Sequence, residues 1–485
     1  MIHLYVLFSL GVVLVSTLIG YEKIGYAYFV LFCMCILVAF RLIFHVKRPF
    51  LTGIFFILLG ITLHKTIQHK IQTQTEMYSS GFTYEDKEAP LLEGTLETFP
   101  SYRYSNNQYI FSIKNSHTKV LVYTQPYQKF SYLDTVSFSS SLSDVREEDP
   151  KWHMYYKKLD VQYVVRYPNV TGITHSSPVT LEQKILHHLF ILKTFIRTQS
   201  VERFSSHTSA LVLGMLLGEK DELSKEEKDM FNKANLSHIL VVSGYNISLV
   251  ISFIFLLLKP FHRYVRTCIA LVFVFLFVLL VGHDASVVRS ALMGSIIILA
   301  KIFNRQASAV HTLFLVAAIM LLIQPLSIFD AGFHLSFLAT YSLLIFPSFK
   351  KIPEYIGTTL WVFLFICIYI LYLSASISFV GILTNIFVLM CIPFFMLLSF
   401  VSLGFSVVPF TLSIDVLVLE IMSRYIFFVA YVAQFAPRFE YQISPLVTVG
   451  IYGLTLSIIG FLSNRHTTPQ FIEKHYQKFV PQKPN

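Results

Sequence analysis

Polar side chains sit where an apolar chain would be expected to continue. His238, Ser243, Gly244 and Asn246 interrupt the segment His238–Val250, which is otherwise rich in Ile, Leu and Val. Hydrocarbon offers such groups no partners, so they are expected to face a bundle interior, a neighbouring helix or a water-filled path. The pattern recurs with Asp284 and Arg289 at the start of another apolar segment. It recurs again with Asp330, His334, Ser336 and Thr340 around a third. Repeated insertions of this kind predict a membrane protein that moves something polar.

Composition supports the membrane assignment. Of 485 residues, 54% are hydrophobic and only 14% charged, against roughly a quarter charged in soluble domains. Several apolar runs approach the ~20 residues that cross a bilayer, and the expected fold is an α-helical polytopic membrane protein of about 11–13 spans. The first apolar run lacks a basic leader and a small-residue cleavage site, so it is predicted to be a retained span. The formal charge of +10 chiefly reports topology, because Lys and Arg accumulate in cytoplasmic loops. Cys33, Cys35, Cys268, Cys367 and Cys391 all lie in apolar segments without metal-binding spacing, and are read as reduced packing residues.

Residues 1–66 hold three predicted spans, near 3–20, 26–44 and 49–66. Arg41, Lys47 and Arg48 assign the second loop to the cytoplasm. Residues 67–180 are then extracytoplasmic. Alternating runs such as Gln108–Ile113 and Lys119–Tyr123, separated by Asn, Ser, Pro and Gly, predict an inserted β domain. A small barrel or sandwich is expected, with a five-stranded OB-like barrel fitting the length. Residues 181–236 follow as amphipathic or juxtamembrane helices, with His187 and His188 at headgroup level. Residues 237–463 form the main transmembrane region, with spans near 237–258, 265–282, 285–303, 308–324 and 332–347 and a less readable stretch beyond 358. Lys259, Arg263, Arg266, Lys301, Arg305, Lys350 and Lys351 fall on one side of these spans, which agrees with an outer β domain. A basic tail, 464–485, ends the chain.

Three stretches resemble the ComEC family, the inner-membrane DNA channels of natural transformation. They are Leu211–Val250, with Leu-Gly-Met-Leu-Leu-Gly-Glu-Lys-Asp and Leu-Ser-His-Ile-Leu-Val-Val-Ser-Gly; Ala285–Met293, around Arg289; and Pro325–Thr340, around Asp330 and His334. A weaker fourth is Asn385–Pro393. Family members often carry His where Asn246 stands and Gln where His334 stands. Many also end in a metallo-β-lactamase-like domain with a His-x-His-x-Asp-His motif. That motif does not occur in this sequence, so the resemblance implies a short, channel-only member and carries over no nuclease.

A path for single-stranded DNA needs positive charge or oriented donors, a polar lining and aromatic faces. Arg289 is the first candidate, since its planar fork suits phosphate oxygens; the plainer alternative is an Arg that snorkels or pairs with Asp284. His238, Ser243, Gly244, Asn246, Asp284, His334, Ser336 and Asn385 complete the candidate path. Helix packing is as good an account of Gly244, and interfacial solvation of His238. Gly214, Gly218 and Asp330 are expected to shape or cap helices, Asp330 also orienting His334 or Arg289. Asp330 and His334 lack a third ligand for a metal. The run Glu219–Lys228 is read as a solvated helix or turn.

The β domain carries many rings, among them Phe99, Tyr102, Tyr104, Tyr109, Phe111, Tyr123, Tyr127, Phe130 and Tyr132. Its 11 Lys and Arg against 12 Asp and Glu make an autonomous nucleic-acid binder improbable, and most rings are assigned to the core. No phosphate loop, nucleophile elbow or zinc motif occurs in the sequence. No cofactor or built-in ATPase is implied.

The leading expectation is therefore single-stranded DNA transport across the cytoplasmic membrane, not an enzyme. By resemblance the partners are single-stranded DNA, membrane lipids, a DNA receptor, a cytoplasmic ATPase or helicase, and a second copy in a homo-oligomer. A membrane enzyme on a lipid-linked or cell-wall polymer, or a permease for small polar solutes, are the alternatives.

Overall fold

The computed structural model describes residues 91–441 and Ser444. Breaks fall at 103–105, 115–117, 146–155, 157–158, 220–221, 283, 304–307, 325–326, 328–329, 347–352, 375 and 405–413. The three N-terminal spans, Tyr104, the end of the main transmembrane region from 445 and the basic tail lie outside the described residues.

A sheet comes first. Strands β1 (Leu91–Leu96), β2 (Ser101–Tyr102), β3 (Asn107–Ile113), β4 (Lys119–Thr124), β5 (Thr135–Ser139), β6 (Ser143–Asp144), β7 (Tyr163–Arg166) and β8 (Asn169–Thr174) run in the order β6-β7-β4-β3-β1-β5-β8, with β2 on β3. All these ladders are antiparallel except β4 with β7, which is parallel. The sequence predicts a small barrel or sandwich, with a five-stranded OB-like barrel fitting the length; among the described residues eight strands form one sheet, and their ladders make an open path. The added strands are short or at the edge: β2 and β6 have two residues each, too few to stand out as alternation in a sequence.

Strict alternation builds two cores from this sheet. Leu92, Leu96, Tyr109, Phe111, Val120, Val122, Val136 and Phe138 point to one face around Phe130. Leu121, Val145, Tyr156, Val161 and Val164 gather on the other. Tyr109, Phe111, Phe130 and Phe138 pack ring to ring at 4.9–6.1 Å. Their faces are therefore spent on the core, while Tyr127 is exposed.

Helix α1 (Leu181–Arg203) joins the sheet to the helical region. A capping box fixes its start: Thr180 accepts from the Gln183 amide, and the Gln183 side chain accepts from the Thr180 amide. Phe99 and Tyr132 from the sheet domain meet Phe190 and Leu186 on one side of α1. Leu189, one position earlier than Phe190, enters the helical core. The predicted amphipathic segment is thus gripped on two sides, although Leu181, Ile185, Leu192 and Phe195 remain exposed.

Among the described residues the remaining helices are α2 (Ser206–Leu217), α3 (Lys225–Lys233), α4 (Gly244–Leu257), α5 (Arg263–Val281), α6 (Ala285–Ile302), α7 (Ala309–Ile323), α8 (Ala331–Leu344), α9 (Glu354–Ser374), α10 (Val380–Leu389), α11 (Ile392–Gly404) and α12 (Ile414–Ala433). A two-stranded ribbon pairs β9 (Ser376–Ile377) with β10 (Phe439–Glu440). Helix α2 is buried from Thr208 to Leu217, and α1, α5, α11 and α12 pack around it. A second core joins α6, α7 and α8 through Met293, Leu313, Val316, Met320 and Phe333.

The chain is a membrane protein. Among the described residues α5, α9 and α12 are long and apolar enough to cross a bilayer, and α10 with α11 forms a pair bent by 41°. Helices stand at all five predicted positions between 237 and 347, but several are short. Helix α4 has 14 residues, roughly 21 Å at 1.5 Å per residue, less than the ~30 Å hydrocarbon core. The predicted span from 237 is corrected accordingly. Residues Ser237–Leu240 form a 3-10 turn and Val241 is extended. The helix starts only where the Ser243 hydroxyl accepts from the Asn246 amide.

Candidate functional site

The polar insertions of the sequence meet where α4, α6 and α8 pack together. Arg289 on α6 is 8% exposed. Its Nε donates to Ser336 Oγ on α8 at 2.7 Å. Nη1 approaches Met293 Sδ at 3.6 Å, one turn along the same helix. The guanidinium lies 5.9 Å from the Phe337 ring centroid, a cation–π distance. Burial of an Arg is tolerable only with such partners.

Glycine at 244 creates the room for this arrangement. A Cβ there would stand 2.6 Å from Arg289 Nη2 and would collide with Ser290 Oγ. The first turn of α4 therefore lies against the guanidinium. Ser286 Oγ donates to the Val242 carbonyl at 3.2 Å, binding the extended stretch before α4 to α6. Ser290 Oγ turns back to the Ser286 carbonyl. The result is a helix start and a buried cation in one place, a set able to meet an anion with the guanidinium and a helix N-terminus.

The other candidates divide around this centre. Asn246 is buried, accepts from Ser243 Oγ at 3.0 Å and donates to the Met215 carbonyl of α2 at 3.3 Å. It ties α4 to α2. His238 is exposed on the 3-10 turn. Asp284 is exposed ahead of α6, where its carbonyl accepts from the Val287 and Val288 amides; the guanidinium of Arg289 is directed to α8 instead. Asp330 is the N-cap of α8, accepting from the Gly332 amide at 2.9 Å. His334, one turn on, sits 5.5 Å from the Tyr369 ring of α9. Gly214 lets α2 approach the 3-10 turn, since a Cβ would stand 2.8 Å from the Leu240 carbonyl oxygen. Gly218 ends α2 in the left-handed conformation, φ 74°.

Asn385 stands apart, on α10. Its Oδ1 is buried with no hydrogen-bond partner among the described residues, and its carbonyl is 3.5 Å from Tyr355 Oη.

The run from Glu219 is corrected. Glu219 is 8% exposed and pairs with Arg197 at 2.8 Å and Lys193 at 3.3 Å, both on α1. Arg197 also pairs with Glu222. The left-handed turn at Gly218 aims Glu219 at α1, so Glu219 and Glu222 form a largely covered ion-pair cluster with Lys193 and Arg197. Only α3, capped by Ser224 and Glu227, fits the solvated helix expected there. Among the described residues, no group of three or more His, Cys, Asp or Glu is placed to hold a metal.

Ser290, Met293 and Phe337 also shape the centre, and sequence reasoning did not single them out. Met293 was within reach of it, being four residues from Arg289 on a helix. Phe337 follows Ser336, but its face toward Arg289 depends on how α6 and α8 pack.

The family model described as Competence protein matches residues 215–465. The chain belongs to that family. The match covers α4, α6, α8 and α10, and so includes Arg289, Ser336, Gly244 and Asn385. The chain is also similar to ComE operon protein 3 of Bacillus subtilis (strain 168), at 22% identity over 68% of this chain and 42% of that protein. An uncharacterized protein of Aquifex aeolicus (strain VF5) is 32% identical over 33% of this chain and 40% of its own length. The alignments thus span about two fifths of each relative. The ComEC resemblance in the sequence is thereby shown. No solved structure matches the chain.

Proposed function

We propose that the protein carries single-stranded DNA across the cytoplasmic membrane during competence, along a path beside Arg289. The observation that carries this reading is a buried guanidinium held by Ser336 and packed on a side-chain-free helix start at Gly244, inside the region matched to the competence family. The similarity to ComE operon protein 3 supports the same role.

In this reading Arg289 meets phosphate oxygens one at a time as the strand passes. Ser336 holds the guanidinium plane, and Gly244 keeps the α4 amides close to it. Arg is suited to this because its charge persists at any physiological pH and its fork matches two oxygens. Short helices fit a water-filled path, since irregular backbone such as 241–243 is tolerated at membrane depth only where it is covered by protein or faces water. His334 and Asp284 are assigned as secondary contacts.

The sheet domain is assigned to the outer face, where it guides the strand toward the helices. The antiparallel β1–β3–β4 order with β7 parallel to β4 supports an OB-like core carrying extra edge strands. Its rings are mostly buried, so guidance falls to exposed positions such as Tyr127. A DNA receptor outside, and an ATPase or helicase inside, would deliver and pull the strand.

Deleting the gene and following labelled DNA together with transformant counts tests this reading. DNA that reaches the outer compartment while transformants disappear is the expected result. Normal transformation would overturn it and promote an envelope-polymer enzyme or a solute permease.

A further inference from the structure

We infer that the hairpin between α4 and α5 binds the phosphate of an anionic phospholipid through Lys259, Arg263 and Arg266. The inference concerns the face toward the bilayer and does not depend on the route of the strand.

Turns and ring contacts gather the three cations. Helix α4 ends at Leu257 and α5 begins at Arg263. Amide bonds from Leu258 to Ile254, Lys259 to Leu256 and Phe261 to Leu258 fold the chain between them into tight turns. Arg263 and Arg266 are three apart on the first turn of α5 and so share a side. Arg266 reaches back to α4, its guanidinium 5.3 Å from the centroid of the Phe255 ring, four residues before Lys259. Arg263 stands 4.8 Å over the Tyr264 ring and donates to its hydroxyl at 2.9 Å. Both guanidiniums are therefore held in place by rings.

No carboxylate balances them. Other cations of the helical region have one: Lys193 and Arg197 have Glu219, and Arg203 has Asp415. The sequence has no Asp or Glu between Asp229 and Asp284, and Lys259, Arg263 and Arg266 pair with none among the described residues. Arg266 Nε is buried without a hydrogen-bond partner, while Lys259 and Arg263 are exposed in front of it. Like charges gathered this closely repel one another, and an anion from outside removes that cost. The start of α5 adds to the attraction. Its N-cap, His262, makes no side-chain capping bond, and the orphan amides of a helix start favour negative charge.

The surroundings select a lipid over a free anion or a nucleic acid. Helix α5 is long and apolar enough to cross a bilayer, so its first turn belongs at headgroup level. Leu256, Leu257, Phe261, Val265 and Ile269 are exposed on the same hairpin. They offer acyl chains a surface that a free phosphate leaves unused. Tyr264 is a poor stacking face for a base, because Arg263 and the His262 ring, 5.3 Å away, already lie against it. A lipid with a net negative headgroup meets both halves of this surface, whereas a zwitterionic one brings a cation of its own.

The purified full chain in detergent, titrated with short-chain phosphatidylglycerol or phosphatidylcholine, tests this by native mass spectrometry and thermal midpoint. Phosphatidylglycerol is expected to bind more tightly and to raise the midpoint further, with a preference that shrinks as salt screens the exposed cations. The triple variant Lys259→Gln, Arg263→Gln, Arg266→Gln is expected to bind phosphatidylglycerol about a hundredfold more weakly, roughly fivefold per cation. The charge-keeping variant Lys259→Arg, Arg263→Lys, Arg266→Lys retains the preference. Equal binding of the two lipids by the unaltered chain overturns the proposal without any variant having to fold, and undiminished phosphatidylglycerol binding by the Gln variant overturns it too. Glycerol phosphate binding as tightly as the lipid would make this a soluble-anion site. Loss of oligonucleotide binding alone in the Gln variant would make it a strand contact, and either result sinks the lipid site.

Discussion

Arg289 on α6 donates through Nε to Ser336 Oγ on α8, a contact of 2.7 Å linking residues 47 apart in sequence. The bond fixes the plane of a guanidinium whose other end faces the start of α4. In the proposed path Ser336 is accordingly a positioning residue. Ser336→Ala is expected to lower transformation roughly tenfold, the value of one hydrogen bond to a charged group. Ser336→Thr, which keeps the hydroxyl, restores most of it. Membrane levels of both proteins, measured by immunoblot, are expected to match the unaltered chain; equal losses in both variants would point to packing instead.

Gly244 is a steric requirement. Gly244→Ala places a methyl group against Ser290 and Arg289, and overpacking of this kind costs about 1–3 kcal/mol. The thermal midpoint in detergent is expected to fall, and Ser290→Ala in the same chain to recover part of the loss. No recovery would mean that Ser290 is not the obstacle.

The ion pairs around Glu219 give a prediction away from the path. Glu219→Gln leaves Lys193 and Arg197 without their shared carboxylate, and breaking a buried pair costs on the order of 3 kcal/mol. Stability is expected to fall, with a penalty that changes little with salt because the cluster is shielded from bulk ions. Hydrogen exchange at α1 reads this locally: faster exchange over Leu181–Arg203 is the expected outcome.

The junction between sheet and helices has an alkaline limit. Burial, with help from Glu182 and Glu97, holds the Tyr132 phenol above its ordinary value. A group whose pKa is raised by folding contributes stability in full below its unfolded value, near 10, and loses it as pH climbs through the folded value. Packing of Tyr132 on Phe99 and Phe190 is therefore expected to loosen above about pH 10. Tyr132→Phe removes that dependence while keeping the ring. Exchange rates across α1 at pH 8 and pH 10.5 in both proteins provide the check.

Local chemistry was legible in the sequence, and three-dimensional partners were not. Alternation at Gln108–Ile113 and Lys119–Tyr123 gives β3 and β4, because a sheet face imposes a period of two over several residues. Two-residue strands such as β2 and β6 impose no readable period. Hydropathy locates α5 well, and leaves α9 without bounds in the less readable stretch beyond 358. It places the 237–258 segment too early, since Ser243 ends the extended stretch by a capping bond that a hydropathy average does not register. For Arg289, its unusual place in an apolar segment marked it as a candidate. Its partner Ser336 lies 47 residues on, on α8, and no spacing in the sequence pairs the two. Glu219 shows the reverse error: a charge run reads as solvated until the turn at Gly218 aims it at α1.

A strand that passes Arg289 is stopped by Arg289→Ala, expressed at the unaltered membrane level, with labelled DNA and transformants counted together. DNA is expected to accumulate outside the cytoplasmic membrane while transformants fall by roughly one to two orders of magnitude, the worth of charge-assisted hydrogen bonds. Undiminished transformation by Arg289→Ala would contradict this path.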